Sequence, residues 1–367
     1  MLFLTIFFGL FFGLFVLILG RLLFSRTAPA DSGARPRVSI LVAARNEQDT
    51  IERCLTSLCR LQYPPELLEI LIADDASTDN TAAVVERFIE GKPQFRLLRV
   101  RHQLGTARGK SNALAYLCRA ASTDYFLFTD ADMALHPHWV QTMLAAAASD
   151  EQVGIVTGIT TAAGRRFGRL QGLDWLFGLN IIRVLSDLGL PITSVGNNML
   201  VTRAAYESIG GYEALAFSIT EDLQLFSRIV GQGWHFRNLC ETCVLGVTVP
   251  QPTTQHLLRQ RKRWMKGAVR LPASLSLLFG FYGMFYIVLF WPGLLAPAVL
   301  LGIYGAKIIC QTLFLHLTLR QVGRCESLGL LLLYEPYLCL LSVAVVGYTL
   351  WPGHIWWKER QYQWAEG

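Results

Sequence analysis

Charged residues are scarce in this chain of 367 residues, and the scarcity excludes an ordinary cytosolic protein. Asp, Glu, Lys and Arg make up 16% of the sequence, whereas soluble domains carry about 25%. Cysteine is sparse as well, with eight residues, which excludes a fold held together by disulfides. Internal repeats are lacking. Hydrophobic residues account for 52% of the sequence, which excludes a mainly disordered chain.

The hydrophobic residues are concentrated in long runs, the first of which lies at the N-terminus. Leu2 to Gly20 contains no charge and would span roughly 28 Å as a helix, about the thickness of a bilayer core. A cleaved signal peptide is the alternative, since Ala28-Pro29-Ala30 resembles a cleavage site, but no positive charge precedes the run. Positive charges follow it instead, beginning with Arg21 and Arg26. The positive-inside rule therefore predicts a retained anchor that leads into the cytosol.

Further apolar runs lie near the C-terminus. Residues 275–317 are predicted to form two spans separated by a turn at Trp291-Pro292-Gly293, with Lys307 as the only formal charge among them. Residues 328–350 contain Glu335-Pro336, and an acid with a proline inside a span predicts a broken or re-entrant segment. A full crossing would put the tail outside, whereas a segment that folds back would leave the tail in the cytosol. The positive-inside rule favours the second arrangement.

These runs divide the chain into parts with different roles. The predicted parts are an N-terminal transmembrane anchor (1–24), a soluble domain (36–250), a basic interfacial segment (251–272), a C-terminal membrane region (273–350) and a tail (351–367). The soluble part is long enough for one domain with a sizeable core. We therefore expect an integral, multi-pass protein of the plasma or inner membrane whose soluble domain is cytosolic.

The soluble part alternates strand-like and helix-like segments. Short apolar runs at Val38–Ala43, Leu67–Ala73, Phe95–Val100 and Tyr125–Thr129 have strand length, and helical periodicity lies between them. Strands and helices that alternate at this spacing predict an α/β fold with a mostly parallel sheet. In such sheets ligands bind beyond the carboxyl ends of the strands.

Acidic residues follow two of these strands directly. Asp130 and Asp132 can face the same way and can hold Mg²⁺ or Mn²⁺, whose remaining ligands would be water and diphosphate oxygens. A solvated turn is the alternative. Asp74 and Asp75 can accept hydrogen bonds from a ribose or a base, or they can form an acidic turn that caps the next helix.

Two further motifs place a single charged group at the start of a predicted helix. Lys110 follows Gly109 and can bind a phosphate as a point charge. An exposed lysine at the start of a helix is an equally good interpretation. Asp222 ends Thr220-Glu221-Asp222 and can accept a proton from an attacking hydroxyl, or it can cap the helix.

A basic stretch precedes the C-terminal membrane region. Between Arg259 and Arg270 there are several bases and no acid, and Gln260, Arg263 and Trp264 lie among them. Such a segment suits an interfacial helix on anionic lipid. The same bases could clamp a diphosphate, with Trp264 stacking. Nucleic acid is not an expected partner, because the stretch adjoins the membrane.

The order of these motifs resembles the processive-type membrane glycosyltransferases of family 2, which include cellulose and hyaluronan synthases and ceramide glucosyltransferase. The resemblance rests on an Asp pair, a Gly-Lys, an Asp-x-Asp, a Thr-Glu-Asp and a Gln-x-x-Arg-Trp in this order before membrane spans. It covers roughly residues 36 to 270. It implies a GT-A fold, a nucleotide-diphosphate sugar donor, Mg²⁺ or Mn²⁺, and an inverting displacement.

The resemblance also implies a role for each motif residue. By position, the nucleoside contacts would be Glu47 and Asp75 together with Asp74. Lys110 would lie near the diphosphate, and Asp130 and Asp132 would hold the donor and the metal. The general base would be Asp222, and the segment that closes over the donor would contain Gln260, Arg263 and Trp264. Gly196-Asn197-Asn198 resembles the segment beneath the sugar.

The membrane region departs from the polymer synthases, which need enough helices to enclose a channel. This chain offers three or four spans, so we expect one sugar to be added to a lipid acceptor at the cytosolic leaflet, as in ceramide glucosyltransferase-like enzymes. A short polymer is the alternative. A catalytically silent scaffold that binds lipid through its basic stretch is a third reading, against which the complete set of acids argues.

Overall fold

The computed structural model describes residues 2–24, 33, 35–268, 273–351, 355–358 and 360–362. Its helices are α1 (Leu2–Leu23), α2 (Ile51–Cys59), α3 (Thr81–Ile89), α4 (Lys110–Ala120), α5 (Trp139–Ala147), α6 (Arg166–Ser186), α7 (Arg203–Glu207), α8 (Gly211–Ala214), α9 (Glu221–Gly231), α10 (Thr254–Ala268), α11 (Ala273–Leu289), α12 (Pro297–Gln321) and α13 (Leu328–Leu350). Its strands are β1 (Val38–Ala44), β2 (Leu68–Asp74), β3 (Phe95–Arg99), β4 (Tyr125–Asp130), β5 (Val153–Thr157), β6 (Ile159–Ala162), β7 (Asn198–Thr202), β8 (His235–Asn238), β9 (Leu245–Thr248), β10 (Ile355–Trp357) and β11 (Arg360–Tyr362).

A seven-stranded sheet in the order β3-β2-β1-β4-β7-β5-β8 forms the centre of the soluble part. Strands β3, β2, β1 and β4 run parallel, β7 pairs antiparallel with β4 and β5, and β8 is parallel to β5. The prediction of a mostly parallel α/β sheet is therefore confirmed. Its four parallel strands β1–β4 are the four predicted from sequence.

The central strand β1 packs against a separate apolar core on each face of the sheet. Val38, Ile40 and Val42 contribute to the core beneath α2, α3 and α5, while Leu41 contributes to the core beneath α4 and α9. Successive side chains on a strand point to opposite faces, so a fully apolar strand can serve both cores. The strand that leads to the polar carboxyl edge of the sheet is thus packed on both faces.

A second, two-stranded parallel sheet of β6 and β9 lies beside the carboxyl edge of β4. Ala134 forms an isolated antiparallel bridge with Val247 in β9. This bridge brings Thr248 next to Asp132, so that the segment after β4 is anchored by a distant part of the chain.

In the part of the chain that the structure describes, three helices are long and apolar enough to cross a membrane, namely α1, α12 and α13, and α11 contains a shorter apolar segment, Ser276–Leu289. Aromatic rings join α1 to its neighbours: the ring centroids of Phe11 and Phe285 lie 4.2 Å apart, and those of Phe15 and Phe314 lie 6.4 Å apart. Gln321 donates to the carbonyl of Leu22 at 3.1 Å. The C-terminal ends of α1 and α12 therefore lie at the same level.

Helix α13 is continuous, so the predicted break at Glu335-Pro336 is wrong. The buried carboxylate of Glu335 contacts the ammonium of Lys307 in α12, and the hydroxyl of Tyr286 donates to it at 2.8 Å. Because the acid is paired and hydrogen-bonded, it does not force the helix to unwind. The proline removes a single backbone donor and is accommodated within the helix.

Both ends of α13 contact the soluble part of the chain. Glu326, just before the helix, pairs with Arg169 in α6, and the carbonyl of Trp351, just after it, accepts a hydrogen bond from Lys262 in α10 at 2.8 Å. The following hairpin, β10–β11, then reaches the carboxyl edge of the central sheet. The described hairpin therefore packs against the soluble domain.

Candidate active site

A cleft of about 720 Å³ opens at the carboxyl ends of β1, β2 and β4, with α10 as its opposite wall. It brings together most of the residues singled out from sequence, although they are spread over more than 200 positions. The predicted residues on its lining are Glu47, Asp75, Lys110, Asp130, Asp132, Gln260 and Arg263. Asp74, Asp222 and Trp264 do not line this cavity.

The Asp130–Asp132 pair lies on the floor of the cleft, directly after β4. Asp130 Oδ1 is 2.7 Å from Lys110 Nζ, and Asp132 Oδ2 accepts a hydrogen bond from Thr248 Oγ1 at 2.8 Å. Burial, and then the negative charges of Asp130 and Glu47, raise the pKa of Asp132 to about 6. The carboxylates of Asp130, Asp132 and Glu47 lie close enough to repel one another. A bound cation would reduce this repulsion.

Within the described ranges, no group of three or more His, Cys, Asp and Glu side chains is arranged to hold a metal ion. The two aspartates alone can supply one or two oxygen ligands to a hard divalent cation. Mg²⁺ is usually bound in this way in phosphate-processing sites, with water and substrate oxygens completing its shell. The side chains therefore fit a metal that arrives together with a phosphorylated substrate.

Lys110 joins two acidic motifs that are far apart in the sequence. Its ammonium lies 2.7 Å from Asp130 Oδ1 and 3.0 Å from Glu221 Oε1, and its side chain is largely buried at the start of α4. Burial alone would lower the pKa of Lys110, but the two carboxylates outweigh it and raise that pKa above its ordinary value. Sequence reasoning missed Glu221; its position beside Asp222 was the one available signal.

Asp222 is the second residue of α9, next to the Glu221 that pairs with Lys110. Its Oδ2 accepts the backbone N–H of Gly196 at 3.0 Å, and its Oδ1 accepts that of Leu223 at 2.9 Å. A Cβ at Gly196 would approach the Asp222 Cβ to 3.1 Å, so glycine permits this close contact. Burial, and then the charge of Glu221, raise the pKa of Asp222 above its ordinary value. Such a carboxylate is a stronger base than an exposed one.

Helix α10 presents a stripe of polar residues to the cleft. His256, Arg259, Gln260 and Arg263 line it at helical spacing, and Arg263 Nη1 is 3.5 Å from the carbonyl oxygen of Ile219. This helix therefore contributes two guanidinium groups to the wall opposite the sheet.

Trp264 does not take the position expected of a residue that stacks on a ligand in the cleft. Its ring packs edge-on against Trp175 of α6 with centroids 4.8 Å apart, and the guanidinium of Arg261 lies 4.1 Å from its centroid. Asp174 in α6 pairs with Arg261 and accepts the hydroxyl of Tyr334 at 3.2 Å. Trp264 thus packs α10 against α6, and Asp174 links the same part of α6 to α13.

The acids at the end of β2 have different surroundings. Asp75 lines the cleft and pairs with Arg360, whose Nη1 lies 2.6 Å from Oδ2. Burial raises the pKa of Asp75, although Arg360 opposes the shift. Asp74 is buried, and its Oδ1 accepts the N–H of Ser77 at 3.3 Å, so it stabilises the turn after β2. Sequence reasoning missed Arg360 and also Lys358, which lies 2.7 Å from Glu47.

Comparison with known families decides the class of the chain. The profile described as glycosyl transferase family 21 matches residues 1–367. The chain belongs to glycosyl transferase family 21. The resemblance to membrane glycosyltransferases is confirmed. The family model that matches is that of family 21, whereas the resemblance drawn from the sequence was to family 2.

Curated proteins that are similar to this chain include enzymes named for lipid and for polymer products. The chain is 31% identical over 245 residues to a beta-monoglucosyldiacylglycerol synthase of Synechocystis sp., covering 66% of this chain and 50% of that protein. It is 28% identical over 233 residues to a poly-beta-1,6-N-acetyl-D-glucosamine synthase of Staphylococcus aureus, covering 63% of this chain and 54% of that protein. The family 21 chain thus spans about half the length of these relatives.

A solved structure supports the fold of this family 21 chain over nearly its whole length. The mannosyltransferase of Pyrobaculum calidifontis, solved in complex with GDP-Man and Mn²⁺, matches with a TM-score of 0.58 and 22% identity. The match covers 95% of this chain and 96% of that one. The expected GT-A fold is confirmed.

Proposed function

We propose that this chain is an inverting glycosyltransferase that moves one sugar from a nucleotide-diphosphate sugar to a hydroxyl of a lipid acceptor at the cytosolic membrane face. The observation that carries the proposal is the cleft at the carboxyl ends of β1, β2 and β4, where acids and cations meet beside apolar helices. Membership of glycosyl transferase family 21 supports the same reaction class.

The donor would lie along the cleft from the end of β2 toward α10. Glu47 and Asp75 can accept hydrogen bonds from the nucleoside, as carboxylates do in other nucleotide-binding folds. Gln260 and Arg263, with the neighbouring Arg259, can bind the diphosphate from the α10 side, where guanidinium groups suit phosphate oxygens.

Asp130 and Asp132 would hold the divalent cation, Mg²⁺ or Mn²⁺. When bound, that cation supplies charge neutralisation for the departing diphosphate. The crowding that raises the pKa of Asp132 supports this assignment, because a cation stabilises the ionised pair. The mannosyltransferase that shares the fold was solved with Mn²⁺. Lys110 holds Asp130 in place and adds a positive charge close to the same point.

Asp222 would act as the general base that takes the proton from the acceptor hydroxyl. Its raised pKa suits this task, and the two backbone N–H donors fix the orientation of its carboxylate. Glu221 is neutralised by Lys110, so the two neighbouring acids serve different purposes. Deprotonation by Asp222 and stabilisation of the leaving group from the opposite side are consistent with an inverting displacement.

A lipid acceptor is supported by the apolar helices that adjoin the soluble part and by the relatives named for a glucosyldiacylglycerol product. Processive formation of a short polysaccharide is the second candidate, and the similarity to poly-beta-1,6-N-acetyl-D-glucosamine synthases favours it. The small number of spans argues for the lipid product.

The membrane arrangement that fits these contacts is an integral, multi-pass one with a cytosolic soluble domain. Helices α1, α11 and α12 would cross the bilayer, and α10 would lie on anionic lipid through its bases. Helix α13 is long enough to span, but both of its ends contact the soluble side, so we propose that it lies against that side instead of crossing.

The test is a product analysis with the whole chain in lipid nanodiscs that contain diacylglycerol or ceramide. Labelled UDP-glucose and GDP-mannose are added with Mn²⁺, Mg²⁺ or a chelator. We expect a metal-dependent lipid product carrying one sugar, with an equal amount of free nucleoside diphosphate. An Asp132→Asn variant should lose it, whereas Asp150→Asn, at an exposed acid paired with His235, should not.

The other outcomes separate the alternatives. A ladder of product lengths with excess donor would reject single addition in favour of a polymer. If no donor in a wider panel released nucleoside diphosphate in the presence of metal, the enzymatic proposal would fail and the lipid-binding scaffold would remain.

A further inference from the structure

The C-terminal hairpin supplies two cations to one end of the cleft. Lys358 Nζ lies 2.7 Å from Glu47 Oε1 and donates to the carbonyl of Asn46 at 3.2 Å. Arg360 grips both oxygens of the Asp75 carboxylate, with Nη1 2.6 Å from Oδ2 and Nη2 3.2 Å from Oδ1. The hairpin therefore meets the end of the cleft that contains the two proposed nucleoside contacts.

Backbone strain is concentrated at the same corner. Within the part of the chain that the structure describes, the non-glycine residues with positive φ are Asn46 (51°), Ala76 (53°) and Lys358 (47°). Arg45 joins them, since its Nη1 donates to the Ala76 carbonyl at 2.7 Å and its Nε to the Lys358 carbonyl at 3.1 Å. Left-handed backbone costs a residue with a side chain about 1 kcal/mol, and such costs cluster at binding sites.

The positive φ at the turn of the hairpin would cost less conformational free energy with glycine than with lysine. The conformation of the turn therefore does not explain why position 358 carries a lysine side chain. It projects into the cleft that contains Asp130 and Asp132, and it is one of the lining residues.

The other lysine on the lining of the cleft, Lys110, has more carboxylate contacts than Lys358. Lys110 contacts two carboxylates, whereas among the described residues the Lys358 ammonium pairs with one, that of Glu47, and about 30% of the Lys358 side chain is exposed. Lys358 lines the same cleft as Asp130 and Asp132, and also as Glu47 and Asp75. The ammonium of Lys358 thus stands close to both the nucleoside acids and the metal pair, at the point where a diphosphate would bridge them.

We propose that Lys358 is a donor-binding residue that contacts the diphosphate, and that Arg360 is a positioning residue that orients Asp75 toward the nucleoside. This inference rests on the proposed function, because it assumes a nucleotide-diphosphate donor in the cleft. It makes the C-terminal hairpin part of the donor site, beside the strand ends and α10.

The test measures binding of UDP and GDP, each with Mn²⁺, to the full chain in nanodiscs, together with thermal unfolding. For Lys358→Met and Lys358→Gly we expect about tenfold weaker binding of the nucleotide that the wild type prefers, because a charge-assisted hydrogen bond to phosphate is lost. Lys358→Arg should stay within about threefold of wild type. Lys92→Met, which removes a lysine that contacts Phe88 outside the cleft, should bind as wild type does.

Two readouts separate binding from a structural role. Lys358→Gly removes the ammonium but relieves the positive φ, so its unfolding temperature should equal or exceed that of Lys358→Met while its nucleotide binding stays weak. Arg360→Met should weaken binding of the free nucleoside, uridine or guanosine, which Lys358→Met should leave unchanged.

Wild-type nucleotide affinity in Lys358→Met would overturn the inference, as would recovery of that affinity in Lys358→Gly. If the wild type bound neither nucleotide and transferred no sugar, the proposed function itself would fail. Nucleotide binding and sugar transfer by the wild type with unaltered variants would contradict only the role of the hairpin.

Discussion

Lys110 is the residue that ties the acidic motifs into one site. Its ammonium contacts Asp130, which follows β4, and Glu221, which begins α9. Each carboxylate would be costly to bury alone, and a single lysine offsets both. The chemistry of the cleft thus depends on an ion-pair network whose members also stabilise the fold.

Replacement of Lys110 by Met should therefore reduce both stability and donor binding. We expect the free energy of unfolding to fall by about 3 kcal/mol, because two partly buried carboxylates lose their partner. In Lys110→Met/Glu221→Gln, part of the stability should return while nucleotide binding stays weak. Denaturant unfolding and nucleotide titration on the same samples check this; equal stability of the two variants would contradict the network.

Asp132 should make metal-free stability depend on pH. Its folded pKa is about 6, above the value of about 3.9 for an unfolded aspartate. The folded state therefore holds the proton more tightly, and this group's contribution to stability is present at low pH and is lost as pH rises through about 6. The cause is burial, followed by the charges of Asp130 and Glu47.

The measurement compares wild type with Asp132→Asn in a chelator, so that other titrating groups cancel. The stability difference, wild type minus variant, should fall by about 1–2 kcal/mol between about pH 4 and pH 7. Mn²⁺ should stabilise the wild type more at pH 7 than at pH 5. A flat difference across this range would contradict the raised pKa.

The sequence identified the acids that follow strands and the motif residues Lys110, Gln260 and Arg263, but not the two cations of the C-terminal hairpin. Asp75 and Asp130 could be predicted because parallel strands end at one edge of the sheet. Arg360 could not, since it meets Asp75 across 285 positions and belongs to a three-residue strand. Trp264 was assigned to the donor because the motif carries no information about how α10 is rotated.

At the scale of helices, the pair between α12 and α13 decides how the C-terminal region packs. Lys307 and Glu335 were each visible in the sequence as a charge within an apolar run. Their partnership across 28 positions was not visible, and for that reason a break in α13 was expected. Both side chains are almost completely inaccessible, so neither charge can be left unpaired without a large cost.

Glu335→Ala should destabilise the helical region by about 3–5 kcal/mol, because it leaves the ammonium of Lys307 buried without a carboxylate. Lys307→Met/Glu335→Leu should recover most of the loss, since two apolar side chains of similar volume replace the pair. Thermal unfolding of detergent-solubilised protein measures both. A double variant no more stable than Glu335→Ala would argue against pairing as the reason for these charges.

At the scale of the whole molecule, the C-terminal hairpin packs against the soluble domain. Arg360 contacts Asp75, and the carbonyl of Trp351 accepts a hydrogen bond from Lys262. If α13 lies against the soluble side as proposed, we expect the tail on that side too. The sequence favoured a cytosolic tail without deciding its side of the membrane. Hydropathy indicates whether a helix is long enough to span, and not which side its end reaches.

Epitope tags placed after residue 367 and in the loop between Ser77 and Asn80 should therefore behave alike in sealed vesicles of one orientation. Both should be protected from a membrane-impermeant antibody, or both exposed, and a tag before Leu2 should show the opposite accessibility. Opposite behaviour of the first two tags would mean that α13 crosses the bilayer.

The central claim is that one cleft binds the donor and that Asp222 removes the acceptor proton. The most direct measurement is single-turnover transfer by Asp222→Asn in nanodiscs, with donor affinity determined on the same sample. Transfer should fall by about 10³-fold or more, while the affinity for nucleotide and Mn²⁺ stays within about threefold of wild type. Transfer at the wild-type rate would contradict the account.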